Sequence, residues 1–174
     1  MFGFSGSRSL HRSHAGFVGS VVGVVANLGM PMAVGCAAGL DALVRQDPRF
    51  SGSVFRAESR YPSALVARSV SMVRAVAGSQ PSALLIFPGC PCPSGLVPSS
   101  NPRQCFCGRG SGTWASAALA VGLGVPLYLF APGSRSVASS WVPSSWGSWE
   151  PTCRFGVISH RLVYSPPAQQ LSLF

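Results

Sequence analysis

The sequence predicts an α/β fold: a doubly wound, mainly parallel sheet of about five to seven strands. Three observations carry this expectation. Short apolar runs alternate with stretches of helical periodicity along most of the chain. The run Ala83–Phe87 is unbroken in its apolar character, as expected of a strand covered on both faces. Glycine-bearing turns follow the strand-like runs at Ser5–Arg8, Gly35–Gly39, Pro88–Gly89 and Gly108–Thr113.

The elements follow in order. Phe2 to Phe4 reads as a strand ending in Ser5, Gly6, Ser7 and Arg8, after which Phe17, Val18, Val21, Val22, Val25 and Leu28 recur at helical spacing. Met32 to Gly35 is a second strand. It is followed by a short helix from about Leu40 to Arg45, with Asp41 in the first turn, where the helix dipole favours an acid. Ser53 to Phe55 is a weak third strand. Pro62 opens a helix through about Ala77, with Leu65, Val66, Val70, Val73 and Val76 expected inward and Arg68 and Arg74 available to the surface or a ligand. After Ala83–Phe87 comes a loop of about 20 residues carrying four cysteines, too long for a passive connection. Trp114 to Leu123 reads as a helix stopped by Gly124, and Val125 to Phe130 as a fifth strand. A segment rich in Ser, Pro, Gly and Trp follows, and Cys153 to Tyr164 is expected to supply a last strand or pair of strands. The expected organisation is a core over 1–132 with a cysteine loop at 89–109, a loop and terminal strand over 133–165, and a flexible tail at 166–174.

Composition narrows the classes. At 174 residues the chain suits one domain. Charged residues make up 10% against roughly 25% in an average globular domain. All the basic residues are Arg, and against Asp41, Asp47, Glu58 and Glu150 they leave a net charge of +9 and a pI near 10.3. That balance permits nucleotides, nucleic acid or anionic membranes as partners, but the Arg are scattered and form no basic tail. No charge falls between Arg12 and Asp41, a run long enough to span a bilayer. Asn27, Pro31 and repeated glycines interrupt it. A lipoprotein-type export signal ending at Val34-Gly35-Cys36 lacks Leu three residues before the Cys. No membrane partner and a cytoplasmic setting with reduced thiols are therefore expected.

In an open parallel sheet the ligand lies beyond the carboxyl ends of the strands. The four glycine turns fall there, where backbone amides and helix N-termini receive phosphate. The site residues expected on this ground are Gly6, Ser7, Arg8, Gly35, Cys36, Ala37, Gly39, Asp41, Arg68, Pro88, Gly89, Gly110, Ser111, Gly112 and Thr113. Arg8 and Arg68 are expected to pair phosphate oxygens through their guanidinium forks.

These residues carry a resemblance. Phe4-Ser5-Gly6-Ser7-Arg8, Val34-Gly35-Cys36-Ala37-Ala38-Gly39-Leu40-Asp41, Arg68, Phe87-Pro88-Gly89 and Gly110-Ser111-Gly112-Thr113 together resemble the SLOG superfamily, over about residues 2–130. That group of Rossmann-like nucleotide-ligand domains includes the DNA-processing protein DprA and the LOG phosphoribohydrolases, often called lysine-decarboxylase-like. The resemblance implies a Rossmann-like fold, a nucleotide-type small molecule as partner and, on the DprA side, single-stranded DNA. The LOG enzymes carry an Arg-Lys pair followed three residues later by Met, and a glycine-rich stretch ending in a catalytic Glu. Here Arg68 and Met72 stand in that pattern, but Ser69 replaces the Lys and Ser116 the Glu, and an insertion parts Gly89 from Gly110. General acid or base work needs a titratable group in reach. Binding without turnover is therefore expected, with no catalytic residue assigned.

Cys90, Cys92, Cys105 and Cys107 form two Cys-x-Cys pairs in one loop, a set that can satisfy tetrahedral zinc or remain as free thiols or a redox pair. Cys36 and Cys153 read as small buried hydrophobes. Trp141, Trp146 and Trp149 offer either a base-stacking platform or a loop pinned to the domain. At the C-terminus Gln170, Leu171, Ser172, Leu173 and Phe174 look like the bacterial sliding-clamp-binding motif, agreeing at all positions. That likeness implies the clamp as a partner, with the apolar side chains in a groove and Gln170 fixing register. Self-association is a further open possibility.

Overall fold

The structure, a computed structural model, describes residues 1–10, 14–108, 110–130 and 141–165. Seven strands form one sheet: β1 (Phe2–Gly6), β2 (Met32–Val34), β3 (Gly52–Val54), β4 (Ala83–Phe87), β5 (Leu127–Leu129), β6 (Gly147–Thr152) and β7 (Ser159–Tyr164), in the order β3-β2-β1-β4-β5-β7-β6. The first five run parallel. β7 joins β5 antiparallel and carries β6 as a hairpin partner at the edge. The fold is therefore mainly parallel, Rossmann-like α/β, as the alternation predicts.

Among the described residues, five α-helices connect the strands: α1 (Ala15–Asn27), α2 (Leu40–Gln46), α3 (Pro62–Ala77), α4 (Pro102–Cys105) and α5 (Gly112–Gly122). Side chains alternate across a strand, so β4 feeds two cores at once. Ala83, Leu85 and Phe87 join Val18, Val21, Val22 and Val25 of α1 and Leu40 and Val44 of α2. Leu84 and Ile86 join Met72, Val73 and Val76 of α3 and the small-residue face of α5. Burial on both faces is the physical reason β4 has no polar position.

The uncharged run before Asp41 divides into the 13-residue α1 and the strand β2. Among the described residues, no helix is long and apolar enough to cross a membrane. Three sequence expectations shift. The last strand pair begins at Gly147, inside the Ser/Pro/Trp segment. β5 is shorter than its apolar run. On α3, Val73 and Val76 are buried as expected, but Leu65, Val66 and Val70 are only partly covered: Leu65 and Val66 line a cleft, and Val70 packs at the margin of the core.

The tryptophans are structural pins. Trp146 is fully buried, stands edge-on to Trp114 at 6.0 Å, and donates from Nε1 to the Leu96 carbonyl at 2.8 Å. Trp114 donates to the Cys90 carbonyl at 2.9 Å, and the Cys92 N–H to the Trp141 carbonyl at 3.0 Å. The hairpin and α5 thus hold the cysteine loop to the domain. Trp149 packs edge-on to Trp114 and donates to the Pro143 carbonyl at 3.4 Å. Trp146, being fully buried, is not presented as a stacking surface.

Candidate functional site

The strand order reverses between β1 and β4: the chain leaves β1 toward β2 on one side and leaves β4 toward β5 on the other. Such a reversal leaves a crevice at the carboxyl ends. Here it is a cleft of about 600 Å³, within the range of small-molecule sites. Gly6, Ser7 and Arg8 line it from the end of β1, Ala37 and Asp41 from the β2–α2 turn, and Arg68 from α3. Gly89 after β4 and Gly110, Ser111, Gly112 and Thr113 at the start of α5 complete the polar lining.

Close approach requires glycine at two of these turn positions, Gly39 and Gly89. The Ser7 N–H donates to the Phe87 carbonyl at 2.9 Å, tying the β1 and β4 ends together. A Cβ on Gly89 would lie 2.9 Å from the Ser7 Cβ. Gly39 has φ +66°, and a side chain there would run into the Ser7 and Arg8 backbone, so only glycine suits this turn. Ser111 caps α5 without a side-chain hydrogen bond, and the first turn holds no acid. The first-turn amides have no intrahelical acceptor and add the positive end of the helix dipole to the cleft.

Gly35, Cys36, Gly39 and Pro88 do not line the cleft; the first three stand behind it. Arg45 donates to the Gly35 carbonyl at 2.7 Å and to the Ala37 carbonyl at 3.1 Å, fixing the turn. Arg68 lies 3.5 Å from Asp41 Oδ2, and its Nη2 meets Ser69 Oγ at 3.3 Å. Its buried Nε has no hydrogen-bond partner among the described residues. Sequence reading missed the apolar wall, made of Pro62, Leu65, Val66, Pro93, Leu96 and Phe106. Helical spacing marked Leu65 and Val66 as inward, and nothing in that signal separates a core from a cleft wall.

Asp41 is buried, not a surface turn residue. Burial pushes its carboxyl above the ordinary value of 3.8, against the Ala37 N–H at 3.1 Å and the charges of Arg68, Arg45 and Arg8. A folded-state pKa above the unfolded one means that the native protein holds the proton more tightly. This contribution to stability is present at low pH and lost as pH rises from about 4 through the folded value. Asp47 acts oppositely: its hydrogen bonds with Arg49 hold it below the ordinary range, so its contribution is lost as pH falls. Asp41→Asn is therefore expected to remove the loss of stability on raising pH while leaving the acid-side loss. Urea midpoints measured from pH 3 to pH 7 check this, and a variant curve parallel to wild type would contradict it.

The four loop cysteines do not assemble as zinc ligands. Among the described residues no three His, Cys, Asp or Glu side chains come together to hold a metal, and all six cysteines are free thiols. The short α4 turns Cys105 into the core, where its Sγ contacts the Ser99 carbonyl at 3.3 Å, while Cys107 is exposed. Burial pushes the Cys92 thiol up to about 12. Cys153 is exposed and Cys36 partly so, unlike the buried hydrophobes expected of them. Ser116 is buried and donates to the Gly112 carbonyl at 2.9 Å. Gln170 to Phe174 lie outside the described residues. No family model, curated protein or solved structure matches the chain.

Proposed function

We propose that the cleft binds a nucleotide or nucleotide-derived ligand and does not turn it over. The observation that carries this reading is the meeting in one cleft, at the strand-order reversal, of three segments whose glycines line it, the β2–α2 turn, Arg8, Arg68 and the start of α5, where no side chain caps the first-turn amides. Phosphate is assigned to Gly6–Arg8 and Gly110–Thr113, where backbone amides and guanidinium groups supply donors without a metal. The base is assigned to the apolar wall of Pro62, Leu65, Val66 and Phe106. The resemblance to SLOG domains agrees with this assignment. The only carboxylate lining the cleft, among the described residues, is Asp41, and its interactions with Ala37 and Arg68 keep it from free general-base work.

A thermal-shift series with nucleoside mono-, di- and cyclic phosphates tests the proposal. At least one should raise the melting temperature saturably, and the shift should shrink in Arg8→Ala. No shift with any of them would end it. A LOG-type phosphoribohydrolase would release free base from a nucleoside monophosphate, and none is expected above background, since Ser116 offers no acid. A DprA-like reading, supported by the net charge of +9, requires affinity for single-stranded DNA that falls steeply with log salt. We expect only weak binding, given the engaged tryptophans.

The terminal Gln170-Leu171-Ser172-Leu173-Phe174 extends the proposal to a partner, the bacterial sliding clamp. It would tether a nucleotide-binding domain to replicating DNA. Clamp binding in a pull-down is expected and should vanish when Gln170 to Phe174 are deleted. Binding that survives the deletion would assign it elsewhere.

A further inference from the structure

Three of the six thiols have hydrogen-bond partners among the described residues, and these are of two geometric kinds. The sulfurs of Cys92 and Cys105 each face a carbonyl oxygen, Pro93 at 3.7 Å and Ser99 at 3.3 Å, as neutral S–H donors do. Cys36 is the reverse. Its Sγ accepts from the Ala57 N–H at 3.4 Å and from Arg68 Nη1 at 3.8 Å. Two converging donors, one cationic, suit a thiolate. The group sits on the turn after β2, partly exposed to solvent.

Arg68 and Asp41 are the charged groups that act on the sulfur. Asp41 of α2 opposes ionisation of the sulfur, Arg45 of α2 is engaged with the Gly35 and Ala37 carbonyls, and Arg8 faces Asp41 from the β1–α1 loop. Burial alone would raise the thiol; the Ala57 N–H and Arg68 outweigh it and bring Cys36 below the ordinary range. Arg68 lines the cleft on its other side and keeps a buried Nε without a partner among the described residues.

We infer that Cys36 is a site of covalent modification, a nucleophile whose thiolate form is favoured by Arg68 and the Ala57 N–H and which attacks soft electrophiles and hydroperoxides. With a hydroperoxide the sulfur attacks one peroxide oxygen, the S–O bond forms and the O–O bond breaks. The departing oxygen leaves with the electron pair and takes a proton from water. Sulfur is oxidised by two electrons to a sulfenic acid, and the hydroperoxide is reduced to an alcohol, or to water where hydrogen peroxide is the oxidant. The modified sulfur no longer presents the negative charge that draws Nη1, so Arg68 is redistributed toward Asp41 and the cleft. Only this coupling to the cleft rests on the nucleotide reading.

The test is timed alkylation of the intact protein with iodoacetamide, in which sulfur displaces iodide, followed peptide by peptide by mass spectrometry from pH 5 to pH 9. At pH 7 Cys36 should react about three- to tenfold faster than the exposed Cys153, the gain in thiolate exceeding the loss of nucleophilicity. Its rate should also inflect at lower pH than that of Cys153. A Cys36 rate no faster than Cys153, with an inflection at or above it, would overturn the inference. In Arg68→Gln the Cys36 rate should fall toward that of Cys153, and an unchanged rate would overturn the role of Arg68. If that variant does not fold, the wild-type pH profile decides alone. Saturating nucleoside monophosphate should slow alkylation of Cys36 by drawing Arg68 away. Reactivity that depends on Arg68 but ignores the nucleotide would count against the proposed function and for the thiolate.

Discussion

Replacing Arg68 by methionine is expected to weaken nucleotide binding about 100-fold, or about 2.7 kcal/mol. Truncating one partner of a desolvated, hydrogen-bonded charge pair typically costs ~2–5 kcal/mol, because the other charge is left buried and unpaired. Arg68 meets those conditions: its side chain is 11% exposed and lines the cleft, where the bound phosphate would be the charge left without its partner. Methionine keeps the aliphatic packing and removes the fork. Isothermal titration of wild type and variant with the nucleotide that gives the largest thermal shift measures the loss. Equal affinities would remove Arg68 from the site. The same change at exposed Arg74, on the last turn of α3, is expected to leave affinity within about twofold, since that side chain does not line the cleft.

Trp146→Ala carries the largest expected effect on stability, about 4 kcal/mol, or a fall in melting temperature of roughly 10 °C for a chain of this size. The ring is fully buried, and its N–H satisfies the Leu96 carbonyl in the cysteine loop. Trp146→Phe separates the two contributions: it keeps an aromatic ring against Trp114 but strands a carbonyl, costing about 1–3 kcal/mol. Leu96 lines the cleft, so Trp146→Phe should also weaken the ligand. Chemical denaturation of both variants checks the order. A loss under about 1 kcal/mol for Trp146→Ala would mean that the hairpin is not integral to the domain.

How much of this the sequence shows depends on how local its cause is. The bounds of β4 and α3 were legible residue for residue, because an unbroken apolar run and a proline at the first helical position are local signals. β6 was not. It is an edge strand containing Pro151, and only its pairing with β7 makes Gly147–Thr152 extended. The glycine loops announced the cleft, since backbone approach and phosphate geometry both leave glycine behind. The burial of Asp41 was hidden, because it depends on Arg68 arriving from α3. The cysteine spacing permitted a metal site, but spacing does not fix direction, and α4 turns Cys105 inward while Cys107 stays out. The sequence placed Cys36 and Arg68 at one site, but their direct contact was not legible, since it depends on where α3 packs against the turn after β2.

The central claim is that phosphate is held where α5 begins, beside Arg8 and Arg68. Isothermal titration of the wild-type protein with a nucleoside 5′-monophosphate and with the same nucleoside lacking phosphate tests it most directly. The expected result is saturable one-to-one binding of the phosphorylated form and at least tenfold weaker binding of the nucleoside, the phosphate contacts supplying the difference. Equal affinity for the two, or no heat from either across a panel of bases, would contradict it.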